Sequence, residues 1–68
     1  MSIKKELLTR LSDEQLKDLA KSRGIKFNVN RTRKKYYADW NEREKIIDIM
    51  SDKDELTVTD IEEFIKHS

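Results

Sequence analysis

Residues 30–44, NRTRKKYYADWNERE, set four cations (Arg31, Arg33, Lys34 and Lys35) directly ahead of three aromatic side chains, Tyr36, Tyr37 and Trp40. Two chemistries suit that combination. Cationic groups on neighbouring turns can neutralise a row of phosphates, and aromatic rings can stack on bases. The same residues also suit an amphipathic helix whose rings enter a core. At about 100° per residue, Arg31, Lys34, Lys35 and Ala38 fall on one side, and Arg33, Tyr36, Tyr37 and Trp40 on the other. If 31–40 is helical, a basic face meets water with the aromatics behind it. A chain with so few large apolar residues needs the burial that a tryptophan brings. Trp40 is therefore expected in the core, whereas each tyrosine stays open between packing and stacking. Phosphate contact by the basic face is compatible with both.

Other chemistries find little footing. The single histidine, His67, lies next to the C-terminus, where a proton shuttle would have nothing to hold it in place. The absence of cysteine rules out a disulfide staple and a thiolate metal site. DKDELTVTDIEE, starting at Asp52, places acids at positions one, three, nine and twelve of a calcium-loop pattern, at Asp52, Asp54, Asp60 and Glu63. Position five is Leu56, which has no ligating side chain, and position six is Thr57, where the sharp turn wants glycine. The segment reads instead as a turn, a short extended LTV and a capped acidic helix. No nucleophile–base pair, glycine-rich phosphate loop or paired carboxylate with a pocket stands out. No enzymatic activity, cofactor or metal is expected.

With 68 residues, residues 1–68 form one small domain, and a domain of this size buries only roughly 60% of the surface its unfolded chain exposes. Its net charge of +1 conceals a gradient. Residues 1–36 carry eleven Lys/Arg against four Asp/Glu, and residues 37–68 carry four against ten. Such a split points to a basic contact surface, with an acidic half that could meet a protein partner. Early acids such as those of DIEE also simply favour a helix N-terminus. No apolar run approaches the roughly 20 residues that cross a bilayer. MSIKKELLTRLSDE is too charged for a secretory signal. A soluble, intracellular monomer without membrane contact is the expectation.

The elements that must position these residues are helical, since the chain has no proline and one glycine. Ile3, Leu7, Leu8 and Leu11 recur at helical spacing over 3–11. Ser12 with Gln15 forms a capping-box pattern for a second helix that buries Leu16, Leu19 and Ala20 and ends at Gly24. IKFNVN, at 25–30, alternates apolar and polar as a short extended segment does, and either asparagine can cap a helix after it. Asn41 with Glu44, and Thr59 with Glu62, are read as further capping boxes. They open helices carrying Ile46, Ile47, Ile49 and Met50, and then Ile61, Phe64 and Ile65. The predicted fold is an all-α, compact bundle of four to five short helices. Its expected shared core is Leu16, Leu19, Ile25, Trp40, Ile46, Ile47, Ile61 and Phe64.

LSDEQLKDLAKSRGIK, at 11–26, resembles the first helix of SAP domains, small helix–extended loop–helix DNA-binding modules, with Arg23, Gly24 and Ile25 matching the end of that helix. NEREKIIDIM, at 41–50, is similar to the second helix of the family through Arg43, Ile46 and Ile47. Between the blocks, where the family has a short loop that usually holds a second glycine, this chain carries RTRKKYYADW. Either an extra helix has been added to the module or the similarity is confined to the two blocks. The resemblance implies DNA contact through Lys21, Arg23, Lys26 and Arg43, to which the insert adds Arg31, Arg33, Lys34 and Lys35. Nucleic acid is thus the expected partner, double-stranded DNA ahead of RNA, held by phosphates with weak sequence specificity. The alternative is a protein-interaction module that uses opposed basic and acidic faces.

Overall fold

The computed structural model describes residues 2–67, so Met1 and Ser68 of the expected 1–68 domain lie outside the described residues. Five helices succeed one another: α1 (Ile3–Thr9), α2 (Asp13–Ser22), α3 (Arg31–Tyr36), α4 (Glu42–Ser51) and α5 (Val58–Lys66). They form the compact all-α bundle that the periodicity predicts. α1 packs on α4 and α5, and α2 packs on α4.

The boundaries arise from capping chemistry. α1 stops at Thr9 in a tight turn, in which the amides of Arg10 and Leu11 bond the carbonyls of Leu7 and Leu8, each at 3.1 Å. Ser12 then caps α2 through the Gln15 amide, and the Gln15 side chain accepts from the Ser12 amide in return at 2.9 Å. Leu11 before the cap and Leu16 at the fourth helical position are both buried in the core, a hydrophobic staple that sets how the chain enters α2.

At the other end of α2, Gly24 takes φ +68°, the left-handed conformation. The Ile25 amide reaches back to the Ala20 carbonyl at 2.8 Å, and the Gly24 amide to Lys21 at 3.2 Å. This pair of bonds is a Schellman closure, and Ile25, Leu19 and Ala20 lie together in the core. Residues 25–30 run on without regular structure. Ile25, Phe27 and Val29 turn inward to different degrees, while Lys26, Asn28 and Asn30 are exposed. Asn30 caps α3 through the Arg33 amide.

One predicted start needs correction, and one predicted capping box is only half formed. The last helix is capped by Thr57, not Thr59: Thr57 and Asp60 exchange a reciprocal capping box at 3.1 Å in each direction. The reason is burial. Leu56 and Ile61 are fully buried in the core, so the staple places the cap between them, at Thr57. At α4, Asn41 accepts from the Glu44 amide at 2.7 Å, which is half of the predicted reciprocal box.

The core comprises Leu8, Leu11, Leu16, Leu19, Ala20, Ile25, Ile46, Ile47, Met50, Leu56 and Ile61, with Leu7, Phe27, Phe64 and Ile65 packed against it. Trp40 does not join it, contrary to the sequence expectation. α3 ends after Tyr36, and residues 37–40 turn rather than continue the helix, with the Trp40 amide bonded to the Tyr37 carbonyl at 3.0 Å. The inward aromatic is Tyr37, only 4% exposed, while Trp40 is half-buried at the rim. The burial that the tryptophan was expected to bring comes instead from aliphatic side chains and methionine, with Leu8, Met50 and Leu56 fully enclosed.

Truncating Leu19 or Ile46 to Ala should lower unfolding stability by about 2–5 kcal/mol in urea titrations read by helical circular dichroism. A Cβ at Gly24 would meet nothing within 4 Å, so Gly24→Ala carries only the left-handed backbone penalty. Its expected cost is about 1–2 kcal/mol, without any loss of packing.

Candidate functional site

The basic helix is the least self-sufficient element of the fold, because α3 contains no buried residue. Side chains hold it in place from outside the core. Arg33 donates to the Tyr37 hydroxyl at 2.9 Å and lies over the Tyr37 ring, 5.6 Å from its centroid. The Tyr37 hydroxyl donates to Asp48 on α4, and the other oxygen of Asp48 accepts from Lys5 on α1 at 2.8 Å. Arg33 also reaches Asp52, after α4, at 3.5 Å. One carboxylate therefore ties α1, α3 and α4 together.

Ionisation in this network is set by its geometry. Burial pulls the Asp48 carboxyl upward, but the hydrogen bonds from Lys5 and Tyr37 and the charges of Lys5 and Arg33 outweigh it. Asp48 is held below the usual carboxylate range. The Lys5 ammonium is raised by its hydrogen bond to Asp48, against a smaller opposing effect of burial. Tyr37 is raised by burial and by the bond it donates to Asp48.

Around Tyr37 the aromatics form a three-ring cluster. Tyr36 and Trp40 each meet Tyr37 edge to face with centroids 5.0 Å apart, at 75° and 89°, and Tyr36 and Trp40 are 5.2 Å apart. Trp40 borders an open groove of about 400 Å³ with Lys5, Thr9, Asn41, Arg43, Glu44 and Ile47. Tyr36 stands outside, 60% exposed. As the helical wheel predicts, Arg31, Lys34 and Lys35 face water while Arg33 lies on the aromatic side against Tyr37, but Tyr36 is left on the surface.

The eight sequence-predicted contact residues divide into two groups. Arg23, Arg33 and Arg43 are engaged within the fold. Arg23 at the end of α2 pairs with Asp60 at the start of α5, at 2.9 Å. Arg43 bonds Asp13 at 2.9 Å and the Thr9 carbonyl at 2.7 Å, clasping the end of α1, the start of α2 and the start of α4. Arg43 therefore sits at the opposite end of α2 from Lys21 and Arg23. Lys21, Lys26, Arg31, Lys34 and Lys35 are exposed and make no ion pair among the described residues. They line the chain from the end of α2 through the extended segment to α3.

Asp48 and Lys5 do not stand out in the sequence, yet they position the basic helix. The available signal is a lone acid inside the aliphatic run IIDIM, where a charge needs a partner. Asp60 reads in the sequence as a generic early helix acid; it completes the capping box of Thr57 and, through its bonds to Thr57, is held below its ordinary range. Among the described residues no helix is long and apolar enough to cross a membrane. Comparison of the chain with protein-family models, with curated proteins and with solved structures finds no match.

The network makes stability depend on pH. Asp48 is depressed in the folded state, so its contribution is complete above the unfolded value of about 3.9 and is lost as pH falls through the folded value. Lys5 and Tyr37 are raised, so their contributions are complete below about 10 and are lost as pH rises through their folded values. Chemical denaturation across pH should show a plateau bounded on both sides, and Asp48→Asn should flatten the acid limb. Tyr37→Phe, which removes the hydroxyl between two charged groups, should cost about 1.5–3 kcal/mol at neutral pH.

Proposed function

We propose that this chain is a small nucleic-acid-binding domain that holds the phosphates of double-stranded DNA, with weak sequence specificity. The contacts come from Lys21, Lys26, Arg31, Lys34 and Lys35. The observation that carries the reading is the stretch 19–38, which holds seven Lys/Arg and no acid. Five of those seven are exposed without an ion-pair partner among the described residues. Ammonium and guanidinium groups left unpaired in water are what phosphate neutralisation and counterion release require. Arg23, Arg33 and Arg43 hold the frame that presents them.

The order α2, extended segment, α4 also suits a SAP-like arrangement in which α3 is an added helix that enlarges the contact surface. The acidic residues Asp54, Glu55, Glu62 and Glu63 are exposed on the later part of the chain. They would repel a polyanion and so limit binding to one side.

Five neutralised phosphates give a slope of about −4.5 for log affinity against log salt. Replacing Lys34 and Lys35 together by Ala should weaken binding to all sequences and flatten that slope by about 1.8. Replacing Glu62 and Glu63 should do neither. In a chemical-shift titration with duplex DNA at low and moderate salt, residues 21–35 should move and α5 should not. A titration that leaves 21–35 unshifted overturns the reading in favour of a protein-interaction module with opposed charged faces.

A further inference from the structure

We infer that Tyr36 is a stacking platform for an unpaired base, so that the domain favours DNA carrying a single-stranded extension over fully paired duplex. The inference rests on the phosphate-binding reading and adds a ligand feature to it. Ile3 and Tyr36 are the large apolar side chains left exposed among the described residues, at 68% and 60%. Ile3 begins α1, whereas Tyr36 ends the basic helix.

Three observations single out this ring. The edge contact with Tyr37 and the tilted contact with Trp40 brace it, and Tyr37 is itself fixed by Arg33 and Asp48. An aromatic already held in place loses little freedom when a second ring settles on it. With Thr32 and Arg33, Tyr36 forms a shallow, largely apolar depression. Finally, the helix that carries it also carries the exposed Arg31, Lys34 and Lys35 and no acid.

An apolar ring site on a cationic helix calls for a ligand that joins a flat ring to an anion. A nucleotide with an unpaired base has that constitution. Bases within a duplex have both faces covered by their neighbours, so they offer phosphates but no ring. Stacking on an aromatic side chain is sequence-tolerant, because every base has a π-face. Weak sequence specificity is thus retained while strand structure is read.

The test compares two DNAs with equal phosphate counts: one duplex with a short thymidine overhang, and the same duplex with an overhang of abasic sugars. The thymidine overhang should bind about fivefold to tenfold more tightly, the lower end of what a base stacked on an aromatic ring contributes. Tyr36→Ala should erase the difference while leaving the abasic affinity in place, and Tyr36→Trp should keep it. Upfield shifts of the Tyr36 ring protons should accompany the thymidine overhang alone. Equal affinity of the unaltered protein for both DNAs, or an advantage that survives Tyr36→Ala, overturns the stacking role and leaves phosphate binding standing. Failure of both DNAs to bind at low salt overturns phosphate binding, and the stacking role falls with it.

Discussion

Asp48 is the group on which the arrangement of this domain turns. Its carboxylate accepts from Lys5 of α1 and from Tyr37, just past α3, and Tyr37 in turn accepts from Arg33. α3 buries no side chain of its own, so ordinary hydrophobic packing cannot set its position. A partly buried carboxylate with two donors is a demanding partner, because leaving either oxygen unpaired costs the desolvation of a charge. That demand fixes where Tyr37 stands, and Tyr37 in turn orients Tyr36 and Trp40. A polar constraint on one face of α4 thereby sets the geometry of the aromatic cluster and of the basic helix ahead of it.

The division of labour among the cations has the same logic. Arginine's planar fork can serve two acceptors at once. Arg43 uses it on Asp13 and the Thr9 carbonyl, and Arg33 on Tyr37 and Asp52. Such contacts suit a domain with a small core, although exposed pairs contribute only about 0–1 kcal/mol each. Four of the five cations in the 19–38 stretch that form no ion pair among the described residues are lysines, with flexible stems and strongly hydrated heads. Such groups suit the proposed phosphate contact, because they act as point charges and need no fixed geometry of their own.

How much is legible in the sequence varies by element. Ser12, Gln15, Gly24 and Ile25 delimit α2 by local chemistry, since each acts on a backbone group within a few residues. The alternation of IKFNVN likewise announces an extended segment with one inward side. At α5 the rule is visible but the register is not. Thr57-x-x-Asp60 and Thr59-x-x-Glu62 both match a cap, and only the burial of Leu56 decides between them.

Helical content, the turn at Gly24, most of the core and the segregation of charge toward 19–38 are all readable from the residues alone, because each depends on near neighbours or on composition. Packing of the helices settles the remainder: which aromatic faces inward, which arginines are engaged and which cations stay available. Helical spacing cannot distinguish Tyr37 from Trp40 as the inward ring. That choice belongs to Asp48, eleven residues beyond Tyr37, and to Lys5, 43 residues before Asp48 along the chain. Partners so distant in sequence meet only after the helices have packed, so no local pattern announces them.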